Sequence, residues 1–260
     1  MDDNTILWPA SPPADIVLDH EGVHVWAMSL RVAGEPFRRL AAVLSREERQ
    51  RAVSFRFDRD RNRFMTSHGM TRLILARYLG AQPAEIEFQP GAHGKPFLAG
   101  NGARDGLQFN LTHCQDLALL AVARDREVGI DLERVRPLED ASELAAHFCS
   151  QRENAEFQSL PPAEREAAFF RLWTCKEAWL KAVGDGIGTS LDKVEVAFAT
   201  GETARYMNLP GGLATPAQDW NLLELTPVFG FVAALAITGP ATHVGCWQWY
   251  GQALLEYAYD

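Results

Sequence analysis

The sequence predicts an α+β fold of two similar lobes. Two observations predict it: a helix-then-sheet order that occurs twice along the 260 residues, and a local echo between Asp116-Leu-Ala-Leu-Leu-Ala-Val-Ala123 and Gly230-Phe-Val-Ala-Ala-Leu-Ala-Ile237, each closing its half. A hydrophobic content of 47% with 23% charged residues is that of a globular chain.

The elements follow in order. After an irregular Pro-rich start, Val23 to Ser29 reads as a short strand, and Ser45 with Glu48 three residues on reads as a capping box opening a helical region from Arg46 towards Tyr78. Gly80 and Pro83 end that region. Glu85 to Gln89, Lys95 to Leu98, Leu107 to Leu111 and Leu117 to Ala123 then read as strands separated by turns.

The second half opens with strand Val128 to Val135 and continues with helices between Glu139 and Val183. Strands are expected near Val194 to Ala199, Trp220 to Leu225, Phe231 to Thr238 and Val244 to Tyr250. Linker-like composition is confined to Arg124 to Glu127 and Gly201 to Gly212, which places the lobes at 1–125 and 126–260.

Composition narrows the function classes. No stretch approaches the roughly 20 apolar residues of a membrane helix, and the first ten residues carry acids rather than a basic export signal, so a soluble cytoplasmic protein is expected, without membrane association. Four cysteines, Cys114, Cys149, Cys175 and Cys246, form no CxxC pair and suggest neither zinc nor a disulfide framework. A net charge of -9 argues against nucleic acid, and the seven arginines from Arg46 to Arg63 are interrupted by Glu47, Glu48, Asp58 and Asp60. No GxSxG, Walker A or HExxH pattern is present.

Three carboxylates carry the chemistry. In Val128-Gly-Ile-Asp-Leu-Glu-Arg-Val135, strand alternation sends Val128, Ile130 and Leu132 to one face and Asp131 and Glu133 to the other, about 7 Å apart at their backbones. Such a pair is either a solvated strand face or a site for a hard cation such as Mg²⁺. Downstream, Ala168, Leu172, Cys175, Trp179 and Ala182 form a buried helical stripe, with Glu177 nearly opposite. Trp173, Glu177 and Lys181, four apart, line one face, either as a surface ion pair or as an indole, an acid and an amine around a common ligand. Gly184 to Gly188 reads as a C-cap and turn.

Taken together, Gly129-Ile-Asp-Leu-Glu133 and Trp173-Thr-Cys-Lys-Glu-Ala-Trp-Leu-Lys181 resemble the paired signature of the surfactin-type 4′-phosphopantetheinyl transferases. Gly94-Lys-Pro-Phe97, Phe109-Asn-Leu-Thr-His113 and the segment Ser45 to Phe55 resemble three further motifs of that family in the same order, so the likeness runs from about Leu44 to Gly188.

The resemblance implies a monomer of two α+β lobes related by a pseudo-twofold axis, each a helix packed on a small, mainly antiparallel sheet, with coenzyme A between them. It implies Mg²⁺, with Mn²⁺ as an alternative, on Asp131, Glu133 and Glu177. It implies phosphate contacts from Arg51, Arg63, Lys95, Thr112, His113 and Lys181, and transfer of phosphopantetheine to a serine of an apo acyl or peptidyl carrier protein, with Glu177, Lys181 and Asp131 as catalytic residues. Two departures stand out: Cys114 where the family commonly has serine, and Glu48 where many relatives have lysine, so that one phosphate contact is either missing or supplied by Arg49. The competing reading is a non-catalytic module that binds coenzyme A or a carrier.

Overall fold

A computed structural model describes residues 8, 12, 16–91, 94–100, 102, 105–184, 191–199, 201–210, 216, 219–239 and 243–249. In chain order the elements are β1 (Gly22–Ser29), α1 (Gly34–Ala42), α2 (Arg46–Val53), α3 (Asp58–Leu79), β2 (Phe88–Pro90), β3 (Pro96–Leu98), β4 (Leu107–Cys114), β5 (Leu117–Arg124) and β6 (Val128–Arg134). There follow α4 (Ala141–Phe148), α5 (Gln151–Ser159), α6 (Pro162–Val183), β7 (Glu195–Ala197), β8 (Arg205–Asn208), β9 (Trp220–Leu225), β10 (Phe231–Thr238) and β11 (His243–Trp249). The fold is mixed α+β.

Two sheets carry the architecture, one of four strands in the order β11-β1-β5-β4 and one of three in the order β6-β10-β9. The 22-residue helix α3 packs on the first through Met70, Leu73, Ile74, Trp26, Leu120 and their neighbours. The 22-residue helix α6 packs on the second through Leu172, Cys175, Trp179, Ala234 and Ala236. A third core lies between the sheets, where Val23, Val25, Leu119 and Ala121 meet Val128, Ile130, Leu132 and Leu235. The alternation of β6 explains the layering: Ile130 and Leu132 face the other sheet, and Asp131 is left on the face that α6 covers.

Several elements differ from the sequence reading. The helical region from Arg46 is two helices, broken at Ser54–Phe57, and an additional helix, α1, precedes it. Strand β8 forms inside the linker-like stretch. The last strand pairs in parallel with β1, Val25 opposite Cys246 and Trp26 opposite Trp247, so this segment of the second half belongs to the first half's sheet. Tyr250 and Asp185 to Gly188 lie outside the described residues.

Two capping boxes fix helix starts. Ser45 accepts from the Glu48 N–H at 3.1 Å while Glu48 accepts from the Ser45 N–H at 2.8 Å. Ser150 and Glu153 do the same for α5. Glycine at 129 is a steric requirement. A Cβ there would stand 2.1 Å from the Ala178 carbonyl oxygen and 2.2 Å from the Ala182 nitrogen, so only glycine lets α6 lie directly on β6.

Candidate active site

That close approach brings the carboxylates together. Asp131 is buried at 5% exposure on β6, and Lys181, one turn beyond Glu177 on α6, donates to its Oδ1 at 2.5 Å. The same ammonium donates to the Thr112 hydroxyl at 3.0 Å, and Thr112, on β4, donates to Asp131 Oδ1 at 3.4 Å. Strand β4 is locked to β6 next door, where the Asn110 side chain accepts from the Ile130 N–H at 2.8 Å. Three elements therefore meet at one carboxylate; of the Phe109–His113 motif, Thr112 reaches it and Asn110 holds the strand beside it.

Electrostatics tie Glu133 and Glu177 to the same point. Burial raises the Glu177 pKa, the Asp131 charge raises it further, Lys181 pulls it down and Glu133 raises it again. Glu133 is raised by burial and then by Asp131, with Arg136 and Lys181 opposing. The Cys114 thiol donates to Glu133 Oε2 at 3.7 Å, so the departure from serine keeps a donor at this carboxylate.

The donor set suits a hard divalent cation. Asp131 Oδ2 is buried without a hydrogen-bond partner, and carboxylates that raise one another's pKa are what such an ion neutralises. Among the described residues no three His, Cys, Asp or Glu side chains are already grouped as a cage. Lys181 is the cation that Asp131 holds here.

A cavity of about 1230 Å³ is lined by α2, α3, the β2–β3 region and β4; Asp131, Glu133, Glu177, Thr112 and Lys181 are not in its lining, and Cys114, which is, links it to Glu133. It collects Arg51, Arg63 and His113, three of the residues singled out from sequence, together with Cys114. Arg51 lies over the Phe64 ring at 5.5 Å. Arg63 grips Asp116 at 2.6 Å, and Asp116 also takes Arg31 at 2.7 Å. The pKa of His113 is lowered by desolvation and then by the charges of Lys181, Arg63 and His68.

Lys95 is placed differently. It is not in the cavity lining: its ammonium donates to the Ala182 carbonyl at 2.7 Å and the Val128 carbonyl at 3.0 Å, bracing the Gly94–Phe97 turn against the end of α6 and the start of β6. Burial holds its pKa down at about 8, against the pull of Glu127. Trp173 does not stand open beside Glu177, because its ring packs edge-on to Phe148 at 5.2 Å and parallel to Phe169 at 6.3 Å.

Glu48 has no free carboxylate to offer or to repel a phosphate. It accepts from Arg72 at 2.7 Å and is 3.1 Å from His68 Nδ1. Burial would push its pKa up, but the hydrogen bonds from His68, the Ser45 N–H and Arg72, with the Arg72 charge, draw it down to about 2. Arg49, the expected substitute, points to the Ala42 carbonyl at 3.5 Å and is absent from the cavity lining. His68, its ring tilted against Phe64 with centroids 4.0 Å apart in the cavity lining, was not singled out from sequence; a histidine in a helix carries no local signal of its use.

Comparison with known proteins decides the family. Residues 127–227 match the profile of the 4′-phosphopantetheinyl transferase superfamily, and residues 31–125 match that of the 4′-phosphopantetheinyl transferase N-terminal region. The chain is 42% identical over 232 residues to the 4′-phosphopantetheinyl transferase HetI of Nostoc sp., a match that covers 89% of this chain and 94% of that protein. This chain belongs to the 4′-phosphopantetheinyl transferase family.

Similarity to a second transferase, from Bacillus subtilis, is 31% identity over 63% of this chain and 70% of that one. Among solved structures, holo-[acyl-carrier-protein] synthase of Thermotoga maritima is similar at 21% identity and a TM-score of 0.33, over 44% of this chain and 63% of that chain. The boundary between the two family profiles, at 125 and 127, falls at the turn between β5 and β6, where Asp125 takes a φ of 51°. Every element of the candidate site described above lies inside the two matched segments.

Proposed function

We propose that the chain transfers the 4′-phosphopantetheine group from coenzyme A to a serine of an apo carrier protein, with Mg²⁺ as cofactor, acting as a monomer of two lobes, 1–125 and 126–260, related by a pseudo-twofold axis and with β11 exchanged into the first. Family membership supports the reaction. One observation supports the site: Asp131, buried between Thr112 of β4 and Lys181 of α6, keeps an unbonded Oδ2, and the same strand β4 carries His113 into the lining of the cavity that holds Arg51 and Arg63.

Asp131, Glu133 and Glu177 would hold the metal, whose charge offsets that of the pyrophosphate oxygens. Arg51, Arg63 and His113 bind the coenzyme's phosphates, guanidinium groups matching phosphate by paired hydrogen bonds. The acceptor serine oxygen forms its bond to the β-phosphorus as the bond from that phosphorus to the bridging oxygen breaks. Glu177 takes the serine proton, directly or through a water. Adenosine 3′,5′-bisphosphate leaves, its new phosphate charge met by Lys181 and Thr112. Lys95 serves the phosphates only after leaving its two carbonyls, so its role here is to brace the turn.

Incubation with coenzyme A, a chelator or Mg²⁺, and a panel of apo carriers, read by the mass gained on the carrier, tests the reaction. Transfer is expected with Mg²⁺ and is expected to vanish with the chelator and in Glu177→Gln and Asp131→Ala, both remaining folded. No gain on any carrier would return the chain to the non-catalytic binding reading.

A further inference from the structure

The turn joining β9 to β10 ends in an apolar tip. Phe229 is 90% exposed and Val228 36% exposed, an unusual use of two large apolar side chains at a hairpin end where polar residues are the rule. The tip is not a loose loop. The Phe231 N–H donates to the Val228 carbonyl at 3.1 Å, Gly230 takes the φ of 80° that closes such a turn, and the Val135 N–H donates to the Gly230 carbonyl at 2.9 Å. The tip is therefore fixed to the end of β6.

Its position follows from the register. Glu133 lies opposite Val232 and Arg134 opposite Phe231, so Phe229 stands three residues beyond the level of Glu133, roughly 10 Å along the strand. At the end of β6, near the tip, stand two exposed arginines, Arg134, opposite Phe231 and donating to the Gln115 side chain at 3.2 Å, and Arg136, 3.7 Å from Glu133. A chain of net charge -9 thus presents, next to its site, a small basic surface ending in a rigid apolar projection.

We infer that Phe229 and Val228 dock the protein acceptor, inserting into an apolar depression bordered by acidic residues on the surface around its reactive serine. This rests on the transfer reading above. An acceptor whose serine reaches Glu177 must cover the end of β6, and an acidic acceptor is repelled by most of this chain but drawn to Arg134 and Arg136. A buried aromatic anchor inside a charged border is the usual source of affinity in such contacts. Coenzyme A, held in the cavity formed by α2, α3 and β4, does not need the tip.

Steady-state transfer by the full chain, with apo acyl and peptidyl carriers varied at saturating coenzyme A and the reverse, separates the two substrates. Phe229→Ser and the double variant with Val228→Ser are expected to raise the KM for the carrier at least tenfold while kcat and the KM for coenzyme A stay within twofold. Their urea midpoints should match the wild type, since the replaced side chains are exposed. An unchanged carrier KM overturns the docking assignment, and so does a parallel rise in both KM values, which marks a general disturbance. A wild-type chain that modifies no carrier overturns the transfer reading itself, and the docking assignment with it.

Discussion

Lys181 donates to Asp131 Oδ1 at 2.5 Å across the junction of α6 and β6, and so supplies the positive charge on which the neighbouring glutamates also draw. In Lys181→Met the Glu177 and Glu133 pKa values are expected to rise further. The transfer rate should fall by about 10²–10³, the usual loss when one charge-stabilising donor is removed. Rates of carrier mass gain measure it, and a rate within threefold of wild type contradicts the assignment.

Gly129→Ala forces a methyl group into the backbone of α6 at Ala178 and Ala182. Backbone cannot step aside as a flexible side chain can, so a loss of about 3 kcal/mol or more is expected. The urea midpoint reports it. Transfer should fall in the surviving folded fraction as well, because α6 carries Glu177 and Lys181.

Lys176 and Glu153 form an ion pair in which both side chains are fully buried, with the ammonium also donating to the Phe148 and Leu191 carbonyls. Lys176→Met strands the Glu153 charge and is expected to cost about 3–5 kcal/mol. Adding Glu153→Gln should recover part of that loss. Recovery stays incomplete because Glu153 also accepts from the Ser150 and Val196 N–H groups. A double-mutant cycle in urea checks the sign and size of the coupling.

Glu48 gives a pH dependence with a definite sign. Its folded pKa, about 2, lies below the ordinary 4.5, so its stabilising effect is complete above pH 4.5 and is lost as pH falls from there towards 2. The stability gap between wild type and Glu48→Gln should be largest at neutral pH and close across that interval. Urea midpoints at pH 7, 4 and 3 follow it, and a constant gap would mean that the Arg72 and His68 contacts do not depend on the charge.

Much of this was legible in the sequence because it is local. The Ser45–Glu48 box, the alternation of Val128 to Glu133 and the stripe from Leu172 to Ala182 each follow from spacing within one element, and each stands in the structure. The resemblance in the Gly129–Glu133 and Trp173–Lys181 motifs named the family that the comparisons confirm. What escaped is what distant residues decide. Nothing near Lys95 announces that its ammonium will be consumed by carbonyls at 128 and 182, nor near Lys176 that its partner is Glu153. Trp173 reads as a ligand-facing indole, and its contacts with Phe148 and Phe169, which half-bury it, come from spacing the motif does not show. Strand β8 was hidden because its residues read as a linker, whereas α1 carries ordinary local signals, Glu35 and Pro36 in its first turn and Arg39 in its last, that the reading passed over.

The parallel pairing of β11 with β1 sets the order in which the molecule can be completed. The first half's sheet lacks its outer strand until residues 243–249 have been made, more than two hundred residues after Gly22. During synthesis β1 therefore waits with one edge open, and such edges invite the wrong partners. Cutting the chain between β5 and β6 would not release two self-sufficient halves. The fragments should instead find each other when mixed, each supplying what the other's sheet or interior lacks.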